Sequence, residues 1–194
     1  MARRRQDHLA RRAKELGYAA RSVFKLEEID RRAGLFRPGQ LVLDLGCAPG
    51  SWAKYAAQRV GPKGRVLGFD LRPVEVPLPP NARCEVLDVT ARDPPLSVDG
   101  RAFDVVLSDM APSTEGVRFA DQFRSYELFT RALEIAAKAL APGGSFVGKI
   151  FQGPELADAK SRTAALFAET RVIRPRGTRT ESYELFLLGL RKRR

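Results

Sequence analysis

Histidine occurs once in the 194 residues, as His8, tryptophan once, and cysteine twice. One histidine and two distant cysteines, Cys47 and Cys84, cannot build a Cys/His zinc site or a disulfide framework. A metal-free protein of the reducing cytoplasm is therefore expected. No stretch of about 18 apolar residues exists, which excludes a membrane-spanning helix. The basic opening MARRRQDHLARR has no apolar run behind it, so no secretory signal is expected. Low-complexity tracts and internal repeats are also missing. With 44% hydrophobic and 29% charged residues, the chain can bury a core. Its length suits one domain over residues 1–194, and a monomer is expected.

Acidic charge is scarce, with 23 Asp and Glu against 34 Lys and Arg, for a net charge of +11. Residues 1–38 carry +6 and residues 160–194 carry +7, while the stretch between them carries −2. If the two ends meet in the fold, they make one basic face. Such a face binds polyanions through counterion release. A membrane surface fits less well, because no strongly apolar amphipathic helix accompanies the charge. RNA or DNA is the expected partner class, against the plainer reading of an arginine-rich solvated surface.

Residues 7–34 show helical spacing interrupted at Gly17, which predicts two helices with Ser22 as a cap for the second. Short apolar runs then alternate with helical segments. Strands are predicted at 41–46, 64–70, 82–89, 103–109, 145–151, 171–175 and 183–190. Helices are predicted at 51–60, 121–140 and 154–168, with Pro142-Gly143-Gly144 stopping the second of these. The last two strands are close enough in sequence to be antiparallel. The alternation implies an α/β fold with a mostly parallel sheet, helices on both faces, and a ligand site beyond the carboxyl ends of the strands.

The first strand ends in DLGCAPGSW. Its glycines, Gly46 and Gly50, are spaced wrongly for a dinucleotide's pyrophosphate, and Pro49 lies between them. An acidic strand end followed by a single-glycine turn suits a small zwitterion such as S-adenosylmethionine. Asp70, ending the second strand, can hold a ribose diol, and Asp88, ending the third, can accept from an adenine amino group. Lys149 stands inside the apolar run SFVGKIF, where a charge is costly without a partner. It can act as a general base where burial and neighbouring cations disfavour its protonated form. Tyr18 and Phe24, beside Arg21, could stack on unpaired bases, although core packing suits Phe24 better. Cys47 and Cys84 read as small buried side chains.

Four motifs, RSVFKL at 21–26, LDLGCAPGSW, SDMAPS with Gly116 after it, and LAPGGSFVGKIFQG, together with the S-x-E step from Ser182 to Glu184, resemble the FtsJ-type RNA ribose 2′-O-methyltransferases. The likeness runs from about Asp7 to Arg191 and is nearest to the bacterial ribosomal RNA members. It implies a Rossmann-like sheet of seven strands with the last one antiparallel, S-adenosylmethionine as cofactor, and methyl transfer to a ribose 2′-hydroxyl. The implied substrate is a uridine in the A-loop of 23S ribosomal RNA, in the large subunit or a late precursor. The family's Lys-Asp-Lys-Glu catalytic set corresponds to Lys25, Asp109, Lys149 and Glu184. The S-x-E step selects Glu184 over Glu181. Its cofactor residues correspond to Gly50, Trp52, Asp70, Asp88 and Asp109, with no metal. Ser51 and Cys47 depart from the family's usual glycine and alanine. Residues 1–38 would be a basic helical segment contributing Lys25, and 39–194 the Rossmann-like core. The alternatives are a transfer RNA methyltransferase and a non-catalytic RNA-binding assembly factor.

Overall fold

The structure, a computed structural model, describes residues 2–113, 116–176 and 183–194. Glu181, Ser182 and Arg179 lie outside the described residues. Helices α1 (Ala2–Glu15) and α2 (Val23–Ala33) come first. There follow β1 (Leu41–Leu45), α3 (Ser51–Val60), β2 (Arg65–Asp70), β3 (Ala82–Val86), β4 (Phe103–Ser108), α4 (Arg118–Ala139), β5 (Leu140–Phe151), α5 (Leu156–Leu166), β6 (Phe167–Ile173) and β7 (Glu184–Lys192).

The strands form one sheet in the order β3-β2-β1-β4-β5-β7-β6. All neighbours are parallel except that β7 runs antiparallel to both β5 and β6. The expected seven-stranded, mostly parallel α/β sheet with an antiparallel last strand is therefore present. Period-two alternation sends each strand's side chains to two cores. Leu41, Leu43, Leu45, Val106, Phe146, Ile150 and Leu187 join Phe129 and Ala132 of α4 and Ala159 of α5. On the other face Val42, Val66, Leu107, Val147 and Phe186 join Leu26 and Ile29 of α2 and Trp52 and Ala56 of α3. Both faces are covered, which is why the strands read as continuous apolar runs.

Several boundaries differ from the sequence reading. β3 stops at Val86, short of Asp88; it is an edge strand, its residues half-buried or exposed, so the apolar signal ran past its pairing. Pro142-Gly143-Gly144 ends α4 but does not delay the next strand. β5 begins at Leu140, opposite Phe103, and the register resumes at Val105 opposite Ser145, so the segment bulges out of the ladder. β6 starts at Phe167, before the predicted 171. Ser22 precedes α2 but is itself helical in backbone angle, and its side chain makes no cap bond. The first amides of α2 are met locally, Phe24 N–H donating to the Arg21 carbonyl (3.2 Å) and Lys25 N–H to that of Ser22 (3.0 Å), and α3 braces the preceding turn: Ala20 N–H donates to Ser51 Oγ (2.7 Å) and Trp52 Nε1–H to the Ser22 carbonyl (2.9 Å).

Asp30 ties the end of α2 to α3. Its Oδ1 accepts from the amides of Leu35 (3.1 Å) and Phe36 (3.2 Å), and its Oδ2 from Tyr55 Oη (2.9 Å) and Arg59 Nε (2.9 Å). It is 3% exposed, so removing it strands four donors. Asp30→Ala is expected to lower stability by about 2–4 kcal/mol in urea unfolding. A loss under about 0.5 kcal/mol would show that the α2–α3 contact rests on its apolar residues alone.

Candidate active site

The carboxyl ends of β1, β2 and β4, with the turn after β3, surround one cavity of about 510 Å³. This is the switch point of the sheet, where β2 and β4 leave β1 in opposite directions. The loop after β1 is pinned by backbone bonds: Gly46 N–H (2.8 Å) and Cys47 N–H (3.2 Å) both donate to the Phe69 carbonyl. Gly46 has φ +80°, and a Cβ there would lie 2.8 Å from Met110 Cγ and 3.0 Å from Met110 N. Only glycine lets the β1 and β4 ends approach this closely.

Asp70 ends β2 as expected and lines the cavity. Its Oδ2 accepts from Ala48 N–H (2.9 Å) and its Oδ1 from Arg72 N–H (2.9 Å). Asp88 also lines the cavity, from a turn beyond β3. Its Oδ1 accepts from Thr90 Oγ1 (2.6 Å) and Thr90 N–H (2.8 Å), and these bonds hold its carboxyl below the usual carboxylate range. Asp109 follows β4 and borders the same space, with Met110, Ala111, Pro112 and Ser113 of the SDMAPS motif.

Gly50 and Trp52 are placed differently. Neither lines the cavity. Gly50 precedes α3 at φ +102°, where a Cβ would strike Val74 Cγ1 at 2.7 Å. Trp52 is 3% exposed, and its ring centroid lies 5.6 Å from that of Phe186. The indole is a wedge between α2, α3 and β7, because its N–H has a carbonyl partner at Ser22 inside that core.

A second group of side chains stands where β5 and β7 emerge on the α2 side of the sheet. Lys149 lies opposite Phe186 in the β5–β7 register, and Phe151 opposite Glu184. Lys149 is 7% exposed. Its Nζ donates to the Asp109 carbonyl (2.6 Å) and sits 3.1 Å from Asp109 Oδ1. Lys25, one turn into α2, places its Nζ 2.5 Å from Glu184 Oε1 and 5.9 Å from the Phe186 ring centroid. All four residues of the Lys-Asp-Lys-Glu set thus fall into two ion pairs on one sheet face, with Phe186 touching both halves. Asp109 belongs to this group and to the cavity wall, so the cavity and the lysines form one site.

Asp44, on β1, was legible only as an acidic strand end. It is 0% exposed, and neither carboxylate oxygen has a hydrogen-bond partner among the described residues. Burial pushes its carboxyl well above the ordinary range, and the nearby Cys84, Asp109 and Asp70 add to the push. Cys47 and Cys84 meet beside it: a Cβ on Gly68 would lie 2.6 Å from Cys84 Sγ and 2.9 Å from Cys47 Sγ. Their mutual hydrogen bond, then burial, raises the Cys47 thiol, and the same bond lowers that of Cys84. A concentration of carboxyls around a cavity in a strongly basic chain fits a positively charged small ligand. Among the described residues no group of three or more His, Cys, Asp or Glu is placed to hold a metal ion.

A separate cavity of about 500 Å³ lies at the opposite end of the sheet, beside Arg65, Asn81 and Arg83. Arg65 and Arg83 are paired with Asp99 and Glu85, and the remaining walls are mainly apolar.

The basic ends of the chain do meet. Arg176 N–H donates to Glu28 Oε2 (2.8 Å), and Arg171 reaches the Arg32 carbonyl (3.2 Å). Tyr18 is occupied elsewhere, its hydroxyl on Gln58 (2.6 Å) and Lys54 Nζ 5.6 Å from its ring centroid. Arg12 covers the Phe24 ring at 5.3 Å.

A carboxyl raised in the folded state favours folding only where it stays protonated. Asp44 therefore costs the free protein stability as pH rises above about 4, by at most about 1.4 kcal/mol per unit. Asp44→Asn, which removes the titration at constant shape, should raise the melting temperature at pH 7 and change it little at pH 4. An equal change at both pH values would mean that Asp44 is charged in the fold.

Comparison with known proteins agrees with this geometry. The FtsJ-like methyltransferase family matches residues 18–192. The chain is 52% identical to the ribosomal RNA large subunit methyltransferase E of Sorangium cellulosum over 190 residues, 98% of this chain and 90% of that protein. It is 46% identical to the protein of the same name from Desulfatibacillum aliphaticivorans, covering 97% of this chain and 91% of that one. In fold it resembles a crystal structure of a Plasmodium falciparum protein described as a ribosomal RNA methyltransferase. That likeness has a TM-score of 0.78 at 23% identity, covering 90% of this chain and 98% of the other. The chain belongs to the FtsJ-like methyltransferase family.

Proposed function

We propose that this protein methylates a ribose 2′-hydroxyl of large-subunit ribosomal RNA, with S-adenosylmethionine as methyl donor. The observation that carries the reading is the union of two parts through Asp109: a carboxyl-lined cavity at the switch point and a buried lysine held at its edge. Relatives named as large-subunit ribosomal RNA methyltransferases favour the ribosomal substrate over transfer RNA. The finer target, an A-loop uridine of 23S RNA in the cytoplasmic large subunit or its late precursor, follows the family resemblance. The whole chain acts as one methyltransferase domain, to which the N-terminal helices contribute Lys25.

The cavity residues suit the cofactor. Asp70 would hold its ribose diol and Asp88 its adenine amino group, while Gly46 leaves room at the loop and Asp109 borders the reacting end. Gly50 and Trp52 shape the loop and α3 from behind. S-adenosylmethionine supplies a methyl carbon activated by a sulfonium charge that disappears when the thioether leaves. A ribose hydroxyl is a weak acid and must lose its proton as its oxygen attacks. Lys149 is the side chain placed to take that proton. The Asp109 carboxylate and carbonyl then hold the ammonium so formed. Lys25, fixed by Glu184, fixes the ribose, and the rest of the rate comes from alignment.

Mapping 2′-O-methyl groups in ribosomal RNA from cells with and without the gene tests the reading directly; an unchanged map overturns it. Lys149→Ala should abolish single-turnover methyl transfer while S-adenosylmethionine and RNA still bind. Lys149→Arg should be nearly inactive too, because a guanidinium stays protonated and cannot accept the proton. An active arginine variant would move the base elsewhere. Asp88→Ala should weaken S-adenosylmethionine binding about tenfold in calorimetry. Neutralising Arg174 and Arg176 should weaken RNA binding and flatten its salt dependence, leaving cofactor affinity unchanged.

A further inference from the structure

Large hydrophobic side chains stand exposed at eight described positions; three of them, Val117 (58%), Phe119 (66%) and Phe123 (45%), fall at the start of α4, and a fourth, Tyr183 (42%), directly precedes β7. Phe119 and Phe123 are one turn apart on α4 and so form a ridge on one helix face. Tyr183 joins them from the residue before β7, because the Arg118 guanidinium lies 3.9 Å above its ring centroid. Among the described residues Arg118 makes no ion pair that competes with this contact. Leaving this much apolar area in water has a cost, and clustered exposure of this kind marks a binding surface.

The cluster is held rigidly against the catalytic group. Gln152 N–H donates to the Tyr183 carbonyl (2.7 Å), and Gln122 Nε2–H donates to the Gln152 carbonyl (2.5 Å). Ser125 Oγ accepts from Phe151 N–H (3.0 Å), and Phe151 lies opposite Glu184 in the β5–β7 register. Gln122 and Ser125 lie on the buried side of α4. The start of α4, the end of β5 and the start of β7 are thereby joined immediately beside Glu184. Tyr183 is its chain neighbour.

We infer that Phe119, Phe123, Tyr183 and Arg118 form a stacking platform for unpaired RNA bases next to the nucleotide being methylated. The inference rests on the RNA-modifying reading above and deepens it. Exposed aromatic rings with an arginine stacked on one of them meet both parts of single-stranded RNA, the π-faces of bases and the phosphates. The chain's net charge of +11 attracts any polyanion in the same way, so the aromatics are what select for bases. A ribose hydroxyl inside a duplex is hard to align with a fixed methyl donor. Stacking the flanking bases outside the cleft would hold an opened loop in place while Lys25 and Lys149 engage the sugar.

The test compares two fluorescent 12-nucleotide strands by anisotropy, one of mixed-sequence RNA and one of the same ribose-phosphate length without bases. Wild-type protein should bind the base-bearing strand more tightly. Tyr183→Ala and Phe119→Ala should each lose about tenfold on that strand and little on the abasic one, while Tyr183→Phe should keep the preference. Thermal melting checks that the variants are folded. Equal wild-type affinity for both strands would overturn the platform and leave the patch to a protein surface. Equal losses on both strands would overturn it as well. Methyl transfer by the wild type to unmethylated large-subunit RNA is measured alongside. Its failure would refute the functional reading, whereas base preference alone decides the platform.

Discussion

An ammonium in the face of a β-sheet has to be matched in charge and in hydrogen bonds, because burying it alone costs several kcal/mol. Lys149 is in that position, with Val147 before it in the same core. β4 supplies the match by ending where Asp109 can offer both its carbonyl and its carboxylate to one Nζ. The other neighbour, β7, offers Phe186 at the paired position and no polar atom there. Its polar residue comes two positions earlier, at Glu184, where the strand emerges from the sheet, and Lys25 balances it. This requires a helix above the sheet, so α2 is part of the face that carries Lys149 as well as of the basic end. Leu26 and Ile29, buried one residue and one turn beyond Lys25, anchor it there.

Charge is segregated by depth. Part of the basic C-terminal stretch meets α2, tied by Glu28 to the Arg176 amide and by Arg171 to the Arg32 carbonyl. The carboxyls of Asp70 and Asp109 lie inward, at the strand ends. An RNA strand and a cationic methyl donor would otherwise compete for one field. Here the outer field attracts phosphates over a Debye length, and the inner carboxyls act over a few ångströms in a less polar medium. Both ligands can then occupy neighbouring sites without screening each other's attraction.

The parallel core was legible because strands buried on both faces carry mainly apolar runs, as in 41–45, broken only by Asp44, and 103–108, broken by Asp104 and ending in Ser108. Lys149 stood out for the same reason, as one charge in such a run. The pairing of β7 between β5 and β6 was not legible in periodicity, since register is a long-range property; the short connection between the last two strands, and then the family resemblance, supplied the antiparallel direction. The bulge at Pro142-Gly143-Gly144 reads as a plain stop, because proline and glycine signal the break without saying that pairing resumes. Ser22 has the right residue type for a cap, but the first amides of α2 bond to the carbonyls of the turn before it, and the Ser22 carbonyl also accepts from Trp52. Trp52 matched a cofactor motif and turns out to be buried against Phe186, a contact 134 positions away in sequence. Asp44 differs from other acidic strand ends only in lacking partners, and no linear pattern records a missing partner.

Much of the site's shape depends on main chain and not on the side chains assigned to chemistry. Gly46 and Cys47 amides hold to Phe69, and the Asp109 amide holds to Leu45. With no Cβ at Gly46, Met110 packs directly against the turn. The cavity walls would therefore keep their spacing if Lys149 or Lys25 were replaced by a residue of similar bulk. These main-chain bonds belong to the fold itself. In such a site, donors and acceptors meet developing charge without reorganising, which is where fixed polar groups contribute most to rate. Asp70 is the exception, since its carboxylate is itself a structural acceptor for Ala48 and Arg72. Loss of that side chain alters the loop as well as the ligand contact, so its effect on binding and its effect on fold cannot be separated by truncation alone.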